Sequence, residues 1–149
     1  MILRDISQRV WRVGYRPEPW EWADWRWAGA GGRFAGRWDA LDGGLYRTVY
    51  AGDTLHACLK DARPRELTQA VSQFLWSAKD ANGNDLCDGI EFLSRHGDDL
   101  VLWAVFERVG DGQISPRISN IEHVGLTRST PEVSEVVNTL GLTMLPRAK

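Results

Sequence analysis

The chain has 149 residues, 43% hydrophobic and 26% charged, a balance that excludes a disordered chain and predicts one domain over residues 1–149 with a modest core. Its 18 basic and 20 acidic side chains leave a formal charge of −2 and are spread along the sequence, so no strong field favours nucleic acid or an anionic membrane. An anionic ligand therefore has to be held by a local basic pocket.

Met1 to Gln8 alternates apolar and charged residues without the apolar core of a signal peptide, and no run of roughly 18 apolar residues occurs, so a soluble, cytoplasmic protein is expected. Cys58 and Cys87 have no CxxC partner and read as reduced thiols filling the interior.

In chain order, Arg9 to Gly14 alternates as a strand does, Val10 and Arg12 on one face and Trp11 and Val13 on the other. Six of the 8 tryptophans, Trp11, Trp20, Trp22, Trp25, Trp27 and Trp38, crowd the first part of the chain. They are read either as indoles packed over a sheet or as an aromatic wall for a planar ligand. Pro17, Pro19, Gly29 to Gly32, Gly36, Gly43 and Gly44 punctuate the segment up to a strand at Leu45 to Tyr50. Roughly thirty residues with little regular structure between two strands suggest a working loop.

After Gly52, Asp53 or Thr54 caps a short helix with Leu55, Cys58, Leu59 and Ala62 on one side, and Pro64 stops it. A second helix, Arg65 to Ala78, carries the clearest apolar stripe: Leu67, Ala70, Val71, Phe74, Leu75 and Ala78. The turn-rich run Asp80 to Asp85 ends it. Strands follow at Gly89 to Ser94 and Leu100 to Arg108, joined around Gly97-Asp98-Asp99, with a weaker one at Ile118 to Val124. Thr130-Pro131 opens a last helix through Val133, Val136, Val137 and Leu140, closed by Gly141. The pattern is α+β, small central strands with flanking helices.

Phosphate-binding glycine loops, the HExxH zinc signature, the GxSxG nucleophile elbow and metal-spaced Cys/His sets are absent. The histidines, His56, His96 and His123, are far apart and read as surface or capping residues, so no metal is expected. Polar residues beside strand and helix ends remain: Arg37, Tyr50, Asp61 and Ser94-Arg95. Singly, each reads as a solvated charge or a core residue more readily than as a functional group.

Apart from Asp61, and together with Arg12 in Val-Trp-Arg-Val-Gly, they belong to a series of short blocks: Gly36-Arg37-Trp38-Asp39, Tyr46-Arg47-Thr48-Val49-Tyr50-Ala51-Gly52-Asp53, Leu67-Thr68-Gln69, Asp88 to Gly97 and Trp103-Ala104-Val105-Phe106-Glu107. In this order the blocks resemble the RES domain, from about Arg9 to Leu142. The resemblance implies a fold like that of ADP-ribosyltransferases and an activity that consumes NAD as substrate. It also implies a toxin restrained by an antitoxin with an Xre-like helix-turn-helix domain. By position, Arg12 and Arg37 would be the cationic residues of the NAD pocket, Tyr50 the aromatic one, and Ser94, the serine of the family name, would hold the nicotinamide or ribose through its hydroxyl, with Arg37 and Ser94 serving catalysis beside Asp61. Asp61 stands where the family has a catalytic glutamate.

Two guanidiniums suit a pyrophosphate, a planar ring stacks on Tyr50, and a carboxylate at Asp61 would stabilise the positive charge that develops on ribose as nicotinamide leaves. Two departures accompany the match. Asp is shorter than Glu by one C–C bond, ~1.5 Å, which predicts attenuation, and the stretch between Asp61-Ala62-Arg63-Pro64 and Leu67 is shortened. The expected activity is cleavage of the nicotinamide–ribose bond by water or phosphate. The alternatives are mono-ADP-ribosyl transfer to a protein and, in a different class, a non-catalytic NAD-binding module.

Overall fold

The computed structural model describes residues 5–14, 18–60, 66–94, 100–127 and 129–141. In chain order the elements are β1 (Thr48–Gly52), α1 (Leu55–Lys60), α2 (Glu66–Ser77), β2 (Gly89–Leu93), β3 (Val101–Phe106) and α3 (Pro131–Thr139), preceded by short 3-10 turns at Trp25–Trp27 and Ala30–Gly32. The architecture is α+β. The strands form one antiparallel sheet in the order β1-β3-β2. The most apolar strand, β3, takes the centre, with Leu102, Trp103, Ala104 and Phe106 buried on both its faces.

Register sorts the side chains. Tyr50 and Ile90 flank Ala104, and Gly52 and Phe92 flank Leu102, so with the two-residue alternation of a strand these residues share one face. Val49, Ala51, Trp103 and Val105 share the other. That second face is covered by the irregular segment: Trp20 and Trp22 are buried against Val49 and Ala51, with Ile114, Ile118 and Ile121 packed around them. Trp22 Nε1–H donates to the Gly112 carbonyl (3.1 Å).

The first face carries the helices. Thr54 Oγ1 accepts from the Ala57 N–H (3.1 Å) and starts α1, as the sequence predicts. Ala57 then packs on Leu100 and Leu102. A Cβ on Gly52 would stand 3.0 Å from Cys58 Sγ and 3.1 Å from both Ala57 and Leu102, so the missing side chain is what lets α1 lie on the end of β1.

Helix α2 lies where its periodicity places it, but with the opposite face inward. Val71 and Phe74 of the apolar stripe are 42% and 69% exposed, whereas Gln69 and Ser72 on the far side are buried. The reason is what the polar side meets: Ser72 and Tyr46 hydroxyls meet at 2.6 Å, and main-chain carbonyls of the 36–38 turn accept from the helix, while Leu75 of the stripe, with Trp76, still packs on the Ala40, Tyr46 and Phe106 cluster.

Other expectations are corrected too. Arg9 to Gly14 is not a strand; Trp11 alone pairs with Gly52, through two main-chain hydrogen bonds of 2.8 and 2.9 Å. The strand read at Leu45 to Tyr50 begins at Thr48 and runs to Gly52, because Tyr46 is turned into the core beside Phe106 and Ala40. Ile118 to Val124 forms no strand: Asn120 has a φ of 54°, and Ile118 and Ile121 pack on the sheet as single side chains. Thr130 precedes Pro131 at the start of α3 but does not cap it; its hydroxyl accepts from the Thr127 N–H (2.9 Å). Among the described residues no helix is long and apolar enough to cross a membrane.

Candidate functional site

On the helix-bearing face, beside the open end of the sheet, lies a cavity of about 410 Å³. Arg12, Arg37, Tyr50, Cys58, Phe92 and Leu102 are among its lining residues. Of the residues expected from sequence, Arg12, Arg37 and Tyr50 thus meet in one place, although they come from three segments of chain. Ser94 does not appear among the described lining residues. It is buried just past β2, its N–H donating to the Leu100 carbonyl (2.8 Å). Asp61 and Arg95 lie outside the described residues.

The two arginines differ in how they are engaged. Arg12 Nε donates to the Pro19 carbonyl and Nη1 to the Tyr50 carbonyl (3.2 Å), so Arg12 ties the entering loop to β1. Burial lowers its pKa below the ordinary arginine value, but a guanidinium stays charged in proteins. Arg37 stands 5.3 Å from the Trp38 ring centroid and 5.4 Å from that of Phe92. Its Nε is buried with no acceptor among the described residues. A buried donor without a partner is costly, and Trp38 Nε1 and Arg108 Nε share that state among the described residues.

Tyr50 is held at its hydroxyl. The Trp38 N–H donates to Tyr50 Oη (2.7 Å), and Tyr50 O–H donates to Asp39 Oδ1 (3.2 Å). Burial pushes the phenol well above its usual range, so it stays a donor. Asp39, 5% exposed, accepts from the Gly36 N–H with its other oxygen. Burial raises its carboxyl above the ordinary value, partly opposed by these hydrogen bonds and by Arg12. Gly36 is required here: a Cβ would stand 2.6 Å from Tyr50 Oη.

Asp39 is the residue that sequence reasoning missed. It stands in the Gly36-Arg37-Trp38-Asp39 block, and its signal was the spacing of an acid three residues after a glycine, a turn closed by a side chain. Phe92 and Cys58 were also missed. Cys58, expected to be interior filler, faces the cavity and donates its Sγ–H to the Trp11 carbonyl (2.8 Å). Burial raises its thiol to about 11, which makes it a poor nucleophile at neutral pH.

The tryptophan cluster provides core rather than a ligand wall. Trp20, Trp22 and Trp38 are buried, Trp25 packs on Phe34, and Trp27 is 72% exposed. Tyr50 and Phe92 supply the aromatic lining instead.

The arrangement lines the cavity with two cations and two aromatic rings, in a space within the ~300–1,000 Å³ usual for small-ligand sites. That combination suits an anionic ligand with a planar group. No protein-family model matches the chain, and neither a curated protein nor a solved structure does.

Proposed function

We propose that this protein is an ADP-ribosyltransferase-like, RES-type enzyme that consumes NAD by breaking the bond between nicotinamide and ribose. The observation that carries the reading is the convergence of Arg12, Arg37 and Tyr50 on one cavity, with a buried Arg37 Nε that has no acceptor among the described residues. In this reading Arg37 takes the pyrophosphate through charge-assisted hydrogen bonds, and Arg12 adds positive potential while holding the Pro19 loop to β1. Tyr50 and Phe92 flank a planar ring.

The C–N glycosidic bond breaks with its electron pair leaving on nicotinamide, and positive charge develops on the ribose. Asp61 stabilises that charge, and water adds to the anomeric carbon with loss of a proton, giving ADP-ribose. Phosphate in place of water gives the phosphorolytic product, and a protein side chain gives ADP-ribosylation. As a toxin, such an enzyme would be restrained by a helix-turn-helix antitoxin of the Xre type.

The test is nicotinamide release and NAD loss by the purified chain, with and without phosphate, for wild type, Arg37→Ala, Asp61→Ala and Asp61→Glu. The proposal expects release that is abolished in both alanine variants and raised in Asp61→Glu, since restoring ~1.5 Å of reach recovers as much as about a hundredfold in rate. NAD binding without release from wild type and Asp61→Glu alike would make the chain a binding module instead.

A further inference from the structure

The turn that carries Arg37 is gripped from outside the cavity by the polar side of α2. Three successive carbonyls of the turn each accept from a side chain of that helix: Gly36 from Gln69 Nε2 (2.9 Å), Arg37 from Thr68 Oγ1 and Trp38 from Ser72 Oγ. Gln69 Oε1 also accepts from Arg33 Nη2 (3.2 Å). Further along, Gln73 receives the Asp42 N–H (2.9 Å) and donates to Asp42 Oδ2 (2.6 Å).

Amide and hydroxyl groups are costly to bury unless paired. Here they pair with main chain outside any sheet or helix: Gly36 O also takes the Asp39 N–H (3.3 Å) and Trp38 O the Thr48 hydroxyl (3.3 Å), and α2 supplies a further donor to each and one to the Arg37 carbonyl. Because the residues at 68, 69 and 72 engage consecutive carbonyls, shifting any one moves the backbone from which Arg37 projects. The cation–π contacts of Arg37 with Trp38 and Phe92 then depend on α2.

We infer that Thr68, Gln69 and Ser72 are positioning residues for Arg37, setting the place of its guanidinium and through it the affinity of the cavity for a phosphate-bearing ligand. The inference rests on the cavity being an anion site, but not on NAD being the anion.

The test uses the full chain with Thr68→Val, Gln69→Leu and the conservative Thr68→Ser. One readout needs no ligand: the NMR shifts of the Arg37 side-chain protons, moved upfield by the Trp38 and Phe92 rings. The other is titration with inorganic pyrophosphate. In Thr68→Val and Gln69→Leu the Arg37 shifts should fall back toward those of a free arginine, and pyrophosphate should bind roughly tenfold more weakly for each lost hydrogen bond. Thr68→Ser should keep both properties, and the dispersed sheet amides should be unchanged throughout.

Arg37 shifts that stay at their wild-type values in Thr68→Val, with the sheet intact, would overturn the inference. Thr68→Val decides the matter if Gln69→Leu does not fold, since it removes only the hydroxyl. Wild type that fails to bind pyrophosphate would sink the anion-site reading, while the Arg37 shifts would still decide whether α2 positions that residue.

Discussion

Asp39 shows how much a single residue can hide in a sequence. It stands between two residues that attract attention, Trp38 and the glycine-rich stretch that follows, yet its carboxylate joins the Gly36 N–H to the Tyr50 hydroxyl and fixes two walls of the cavity. Burial raises its carboxyl in the folded chain above the 3.8 of an unperturbed aspartate, so the folded state holds the proton more tightly than the unfolded state does. Stability is then greatest with Asp39 protonated and falls as pH rises through the raised value. The isosteric Asp39→Asn should remove that fall. Urea midpoints measured from about pH 4 to 8 should show wild type losing stability relative to the variant as pH rises. Parallel curves would mean that the carboxylate is fully compensated by Arg12 and its hydrogen bonds. Arg12, Arg37 and Tyr50 were legible beforehand because whole blocks of sequence surround them; Asp39 closes one of those blocks, but nothing in the sequence shows that its carboxyl is buried between Gly36 and Tyr50.

At the level of elements, α2 is both the best and the worst reading. Its limits follow from periodicity, because a run without Gly or Pro and with spaced apolar residues forms a helix whichever way it turns. Its orientation does not follow, because the stripe rule assumes an apolar surface beneath. The surface beneath α2 is mixed: the main chain of the 36–38 turn takes hydrogen-bond donors from Thr68, Gln69 and Ser72, while Leu75 and Trp76 meet apolar side chains. The consequence is an inverted mutational pattern. Phe74→Ser, on the exposed stripe, should change unfolding stability by less than about 0.5 kcal/mol. Ser72→Ala, on the buried side, should cost about 1–3 kcal/mol, because the Trp38 carbonyl and the Tyr46 hydroxyl lose a shared partner. Denaturant unfolding of the two variants separates this arrangement from the ordinary one, in which their order is reversed.

For the whole molecule, the sheet divides the labour. One face is sealed by the tryptophan segment and the 114–121 stretch, and the other carries the helices and the cavity. Trp22 joins segments from both ends of the chain, packing on Val49 and Ala51 and donating to Gly112. Trp22→Ala should therefore cost about 3–5 kcal/mol in equilibrium unfolding, whereas Trp27→Ala, at an exposed position, should leave the midpoint nearly unchanged. By itself the sequence determined the α+β class, the two later strands, the existence of α1, α2 and α3, and the irregular segment between Trp11 and Thr48. These depend on local chemistry: period, caps, glycine and proline. Only the tertiary structure decided that Arg9 to Gly14 contributes a single bridge, that α2 turns its polar side inward and that Trp20, Trp22 and Trp38 are core while Trp27 is exposed. It also decided that Phe92 and Cys58 line the cavity, that Asp39 ties Gly36 to Tyr50 and that Ser94 is buried beside β2. Those outcomes depend on which surfaces meet, and a buried carbonyl attracts a glutamine as surely as a buried methyl attracts a leucine.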